Sequence, residues 1–143
     1  MTTVIVDANV AVKWCLPSVR EELVAEAEEL LASSRRDEVQ FLVPDLFWVE
    51  LANALWKAVR RNEISPDHAA AAMSFLRDLD IATAPSIDIV PQVLDLAISY
   101  GRTVYDGLYV ALAIQSKSEM ITADERLANA LAARFPVKWL GAF

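Results

Sequence analysis

The chain predicts an α/β domain with a mainly parallel central sheet and helices on both faces. Three observations carry that expectation. Val4-Ile5-Val6 and Phe41-Leu42-Val43 are short apolar runs without polar alternation, the pattern of strands buried on both sides. Segments of helical periodicity lie between such runs, so strand and helix alternate along the chain. No internal repeat, low-complexity tract or linker interrupts the 143 residues, so residues 1–143 read as a single domain of ordinary size.

Val4-Ile5-Val6 is the expected central strand, and Asp7 ends it. Ligands of open parallel sheets sit in the crevice outside the carboxyl ends of the strands, so a carboxylate there faces a site by topology alone. The plainer reading is that Asp7 caps the next turn. Val10 to Leu16 forms a short apolar turn or helix stopped by Pro17. Arg20 to Ser33 reads as an amphipathic helix, with Leu23, Ala27, Leu30 and Leu31 on one stripe and Glu21, Glu22, Glu26, Glu28 and Glu29 off it. After a polar loop at Ser34 to Gln40, the strand Phe41-Leu42-Val43 ends at Pro44.

Asp45 to Asn62 is the next helix, with Asp45 as its N-cap and Lys57, Arg60 and Arg61 matching the negative end of its dipole. Its stripe of Phe47, Leu51, Ala54, Leu55 and Ala58 carries Glu50 onto the apolar face. A carboxylate there persists only when paired or bound to a cation; the alternatives are a salt bridge to an arginine or a place at the edge of the stripe. Ser65 caps a helix from Pro66 to Asp80, which puts the lone His68 in an exposed first turn. Ile81 to Ile89 is a mixed segment, and Val90 to Tyr100 is a helix ended by Gly101. Thr103 to Asp106 leads into the strongly apolar helix Gly107 to Ser116, a central buried element with Asp106 in its first turn. The strand Met120-Ile121-Thr122 ends at Ala123-Asp124, Thr122 and Glu125 have the spacing of a capping box, and Val137 to Leu140 is the last strand.

Composition narrows the function. A net charge of −7 argues against a broad electrostatic footprint on nucleic acid, unless much of the acid is neutralised in a metal site. The single Cys15 lacks the Cys/His company of a structural zinc site. No apolar run approaches the roughly 18 residues of a membrane span. The N-terminus lacks a basic region, so the expected location is cytoplasmic. The hydrophobic fraction of 55%, with Trp14, Trp48, Trp56 and Trp139, points to a hydrophobic partner surface or to a large core.

In this architecture Asp7 and Asp124 lie at strand ends, Asp106 at a helix start, and Glu50 points inward from a helix. The four carboxylates are therefore expected to converge on one crevice. Oxygen-only ligands select hard cations such as Mg²⁺ or Mn²⁺, and the implied chemistry is metal-assisted hydrolysis of a phosphate ester.

Asp7 in VDANV, Glu50 in VELANAL, Asp106 in YDGLYVALA and Asp124 in TADERL resemble, in order and over essentially the whole chain, the four acidic motifs of the PIN-domain ribonucleases. The likeness is closest to the VapC-like toxins of bacterial and archaeal toxin-antitoxin pairs. One departure is Gly107, where the family often has Ala after the third acid. The resemblance implies a PIN-like three-layer α/β/α domain and a Mg²⁺- or Mn²⁺-dependent endoribonuclease. It further implies a homodimer held inactive by an antitoxin whose tail enters the active site.

By the same resemblance Asp7, Glu50, Asp106 and Asp124 are metal ligands, directly or through water, with Asn9 and Thr122 hydrogen-bonding behind them. Lys13 and Arg102 lie close in sequence to the first and third acids and are candidate RNA phosphate contacts; the plainer reading of each is a solvated surface charge. Rival readings are a housekeeping PIN-type nuclease, a metal-free PIN fold acting as a binding module, and an aspartyl-phosphate phosphatase. The last usually has a second acid where this chain has Asn9. A receiver domain lacks its late-strand lysine here, since Lys117 precedes the strand.

Overall fold

The computed structural model describes residues 1–16 and 22–143. The expected stop at Pro17 and the helix start at Arg20 and Glu21 lie outside the described residues.

Five strands form one wholly parallel sheet: β1 (Thr2–Val6), β2 (Val39–Pro44), β3 (Ala82–Ala84), β4 (Glu119–Thr122) and β5 (Val137–Trp139), in the order β3-β2-β1-β4-β5. The connections carry α1 (Ala8–Cys15), α2 (Val24–Arg35), α3 (Leu46–Arg60), α4 (Pro66–Asp78), α5 (Val90–Tyr100), α6 (Val104–Ser116) and α7 (Glu125–Leu131). The α/β expectation holds. β1 is central because Ile5 pairs with Leu42 on one side and Met120 on the other, which leaves Ile5 and Val6 with essentially no exposure. That is why the run Val4-Ile5-Val6 shows no polar alternation.

From β1 the chain crosses to β2 and β3 in one direction, then returns past β1 to β4 and β5. Right-handed crossovers, the near-universal rule, then put helices on both faces, and the direction of crossing switches between β1 and β4. Pairing persists to the very end of β1, where the Asp7 N–H donates to the Ile121 carbonyl at 3.0 Å. Asp7 and the residues after Thr122 therefore stand side by side at the switch point.

The helix α6 packs against β1, β2 and β4, and every residue from Gly107 to Ala113 is buried. A helix apolar on all sides belongs in the middle of a domain, as expected. Gly107 is where it closes on α5: a Cβ there would stand 3.3 Å from Val93 Cγ1 and 3.4 Å from the Val93 carbonyl oxygen. The absent methyl group is thus a packing feature, remote in kind from the carboxylate beside it.

Several local expectations shift. α1 begins at Ala8, two residues earlier than the expected Val10, because Asp7 serves as its N-cap. α2 runs Val24–Arg35 and still buries Ala27, Leu30 and Leu31. Asp45 occupies the N-cap position of α3 without making a side-chain cap bond. Its carboxylate accepts instead from the Ser86 N–H at 3.1 Å and from the Ser86 hydroxyl, joining the start of α3 to the turn before α5. His68 lies exposed in the first turn of α4, its N–H bonded to Ser65 Oγ at 3.0 Å.

The tryptophans correct the expected partner surface. The Trp14 ring stacks on Phe41 and its indole N–H donates to the Ala27 carbonyl at 2.7 Å, while Trp48 donates to Thr83 Oγ1 at 3.0 Å. Trp139 is half-buried, and only Trp56 of the four is exposed. Exposed aliphatic surface lies elsewhere: Val49, Val90 and Val104, with Tyr105, line a groove of about 440 Å³ between α3, α5 and α6, and exposed Leu94 and Ile98 follow Val90 along α5 at helical spacing.

Candidate active site

A cleft of about 450 Å³ opens at the carboxyl ends of β1 and β4, lined by Asp7, Asn9, Lys13, Glu50, Asp106 and Asp124 together with small apolar groups. All four carboxylates singled out from the sequence meet there, each brought by a different element.

Asp7 ends the central strand and is only 8% exposed. Both readings of it hold at once: Oδ1 accepts a long cap bond from the Asn9 N–H at 3.4 Å, and Oδ2 accepts from the Thr122 hydroxyl at 2.9 Å. An ionised carboxylate offers about four acceptor positions, so two protein donors leave capacity directed at the cleft. Thr122 is fully used. Its oxygen donates to Asp7 and accepts from Asn9 Nδ2 at 3.2 Å and from the Asp124 N–H at 3.1 Å. Asn9 Oδ1 in turn accepts from the Ala123 N–H at 3.0 Å. Asn9 and Thr122 thus lock the end of β1 to the end of β4.

This overturns the capping box. Thr122 faces back across the sheet, and the N-cap of α7 is Asp124, whose Oδ1 accepts from the Leu127 N–H at 3.2 Å. For Asp106 the outcome is reversed: Thr103 caps α6, accepting from the Asp106 N–H at 3.1 Å, so the Asp106 carboxylate is not the cap. Glu50 sits at the edge of the α3 stripe, half-buried, while Phe47, Leu51 and Leu55 fill the core. Its partner is the Tyr109 hydroxyl, which donates to Oε1 at 2.7 Å. Tyr109 escaped the sequence reading. The available signal was a hydroxyl three residues after Asp106 in an otherwise apolar helix.

The acids feel one another across this shared space. Burial, with the neighbouring charges of Glu50 and Asp106, pushes Asp7 up from 3.8 to about 7 against the pull of its hydrogen bonds. Burial raises Glu50, reinforced by Asp106 and opposed by the Tyr109 bond. Burial also raises Asp106; the Arg102 guanidinium opposes this and Asp124 adds to it. Lys13 lines the cleft wall, with Nζ donating to the Glu22 carbonyl at 2.6 Å, and Arg102 is half-buried near Asp106.

The donor chemistry fits a hard divalent cation, since the polar lining is carboxylate and amide oxygen with a single lysine among the described residues. Also among the described residues, no three His, Cys, Asp or Glu side chains are grouped to hold an ion by themselves. Mg²⁺ suits such a site, because it keeps several waters and binds through one or two carboxylates.

Fold and site together define the class: a parallel α/β domain with an all-carboxylate cleft at its switch point. Residues 4–131 match the family model of the PIN domain. The chain is 33% identical over 129 residues to Ribonuclease VapC3 of Pyrobaculum aerophilum, covering 87% of this chain and 92% of that one. The crystal structure of PAE2754 from the same organism superposes with a TM-score of 0.72 at 20% identity, over 99% of this chain and 85% of the other. A toxin-antitoxin complex from Klebsiella pneumoniae gives 0.64 at 17% identity, over 94% and 95%. The chain belongs to the PIN domain family.

The raised Asp7 gives a stability signature. The folded state keeps this proton to about pH 7 and the unfolded state loses it near 3.8, so the folded state binds more protons in between and stability falls as pH rises through that window. At about 1.4 kcal/mol per unit the fall is at most roughly 4 kcal/mol. Chelator-treated protein melted from pH 4 to 8 is expected to lose Tm across this range, and Asp7→Asn to flatten the profile and melt higher than wild type at pH 8. Parallel profiles would show that Asp7 is not held in this state.

Proposed function

We propose that this protein is a Mg²⁺- or Mn²⁺-dependent endoribonuclease, acting in the cytoplasm as the toxin of a toxin-antitoxin pair. The observation that carries the reading is the meeting of Asp7, Glu50, Asp106 and Asp124 in one cleft, where burial and mutual repulsion raise three of them. Such a site gains stability from a cation. Family membership and the likeness to a protein named a ribonuclease support phosphodiester hydrolysis. The likeness to a chain from a toxin-antitoxin complex supports an antitoxin partner. The PIN domain match also weighs against the phosphatase and receiver readings.

When bound, the divalent ion supplies the charge that acidifies a water nucleophile and stabilises the leaving oxygen of the scissile phosphodiester. The chain's own groups do the rest. Asp7, Glu50, Asp106 and Asp124 hold the ion, directly or through water. Asn9 and Thr122 keep the Asp7 carboxylate and the turn before Asp124 in fixed positions, so little reorganisation is needed when substrate arrives. Lys13 on the cleft wall and Arg102 beside Asp106 set positive charge where RNA phosphates approach. The cations at the end of α3, Lys57, Arg60 and the C-cap Arg61, begin two turns beyond Glu50, consistent with a local rather than a broad footprint.

The aliphatic face of α3, α5 and α6 is the proposed seat of a second copy. It adjoins the site, since Val49 precedes Glu50 and Tyr105 precedes Asp106. Exposure of 73% at Ile98 and 66% at Val49 is expensive for a face with no partner.

Calorimetric titration with Mn²⁺ and cleavage of a structured RNA test the activity. Wild type is expected to bind and cleave, and Asp7→Asn and Asp106→Asn to lose at least about 100-fold in cleavage with collapse of binding. Wild type that cleaves without any divalent ion would defeat the reading. For assembly, light scattering at micromolar concentration is expected to give twice the 15.8 kDa chain mass, and Ile98→Asp a monomer that still folds; a monomeric wild type would remove the dimer.

A further inference from the structure

Tyr109 is 2% exposed, and its ring is packed among the apolar residues of α6, where phenylalanine would fill the same space. The hydroxyl therefore calls for its own explanation. It meets a carboxylate: the phenolic proton is donated to Glu50 Oε1 at 2.7 Å.

One side chain thus joins two of the acid-bearing elements. Its own helix carries Asp106, and its acceptor is Glu50 on α3. Glutamate has three rotatable side-chain bonds, and Glu50 is half-buried with no other hydrogen-bond partner recorded among the described residues. Anchoring Oε1 leaves the lone pairs of Oε2 available in the cleft that Glu50 lines. A neutral phenol does this without consuming the charge of Glu50, which an arginine or lysine in the same place would neutralise.

We propose that Tyr109 is the positioning residue for Glu50, fixing its carboxylate for the divalent ion; the inference rests on the metal-dependent reading of the cleft given above. Groups that orient a metal ligand from behind typically change affinity 10- to 100-fold when removed.

The test is Mn²⁺ titration by calorimetry of wild type, Tyr109→Phe, Glu50→Gln and the double variant. Tyr109→Phe is expected to weaken binding about 10-fold, and to add nothing in the Glu50→Gln background, because the phenol acts through that carboxylate. Unchanged affinity in Tyr109→Phe, or an equal loss in both backgrounds, would overturn the inference while leaving the metal reading standing. Wild type that binds no Mn²⁺ would overturn both. Should Tyr109→Phe fail to fold, wild type carrying 3-fluorotyrosine is titrated with Mg²⁺ and followed by fluorine NMR. Substitution of Tyr100 and Tyr105 assigns the three resonances. The Tyr109 resonance is expected to move on saturation, and a stationary one would overturn the inference.

Discussion

The structure turns on a carboxylate buried at the end of the central strand. Asp7 emerges from β1 between two parallel neighbours, at the point where the chain's crossings change direction, and the sheet gives it nowhere to go but the crevice. A charge in that position is tolerated only in part by its surroundings. The start of α1 and the Thr122 hydroxyl stabilise it, yet burial and two neighbouring carboxylates still hold it up at about 7. The arrangement is set up for a positive charge that the side chains do not fully provide.

The same constraint organises the neighbours. Thr122 uses its donor and both acceptor positions to bind Asp7, Asn9 and the backbone of Asp124, so the ends of β1 and β4 act as one rigid platform. Glu50 and Asp106 come from the other side, on α3 and α6, and are joined through Tyr109. The site thus has a fixed wall from the sheet and a second wall from two packed helices. The acidic cleft sits uneasily beside an RNA substrate, and the net charge of −7 makes this worse. In the proposed reading, a divalent ion in the cleft, with Lys13 and Arg102 near it, changes the local sign without changing the global one.

Legibility in the sequence followed the range of the interactions. Four of the five strands, the central helix α6 and the placement of Asp7 and Asp106 were readable because periodicity and strand-end topology are local signals, while β3, three residues long, was left within a mixed segment. Some helix caps were readable from a partner three residues away, as with Ser65 and His68. Others failed where a distant group competed: Thr122 chooses Asp7, 115 positions away, over a capping box, and Asp45 chooses Ser86, 41 positions away, over its own helix. Glu50 was correctly drawn toward the interior by the helical period, but its edge position and its phenolic partner, 59 positions on, depend on how α3 meets α6. Tyr109 was invisible because an aromatic residue in an apolar helix is ordinary core. The tryptophans misled for the opposite reason, since residue type says little about which helix face is left uncovered.

The most direct measurement is anomalous diffraction from crystals grown with Mn²⁺. The account predicts an anomalous peak inside the cleft, within coordination distance of at least one of Asp7, Glu50, Asp106 and Asp124, with water completing the shell. A fully occupied Mn²⁺ elsewhere on the molecule, with the cleft holding only water, would contradict it.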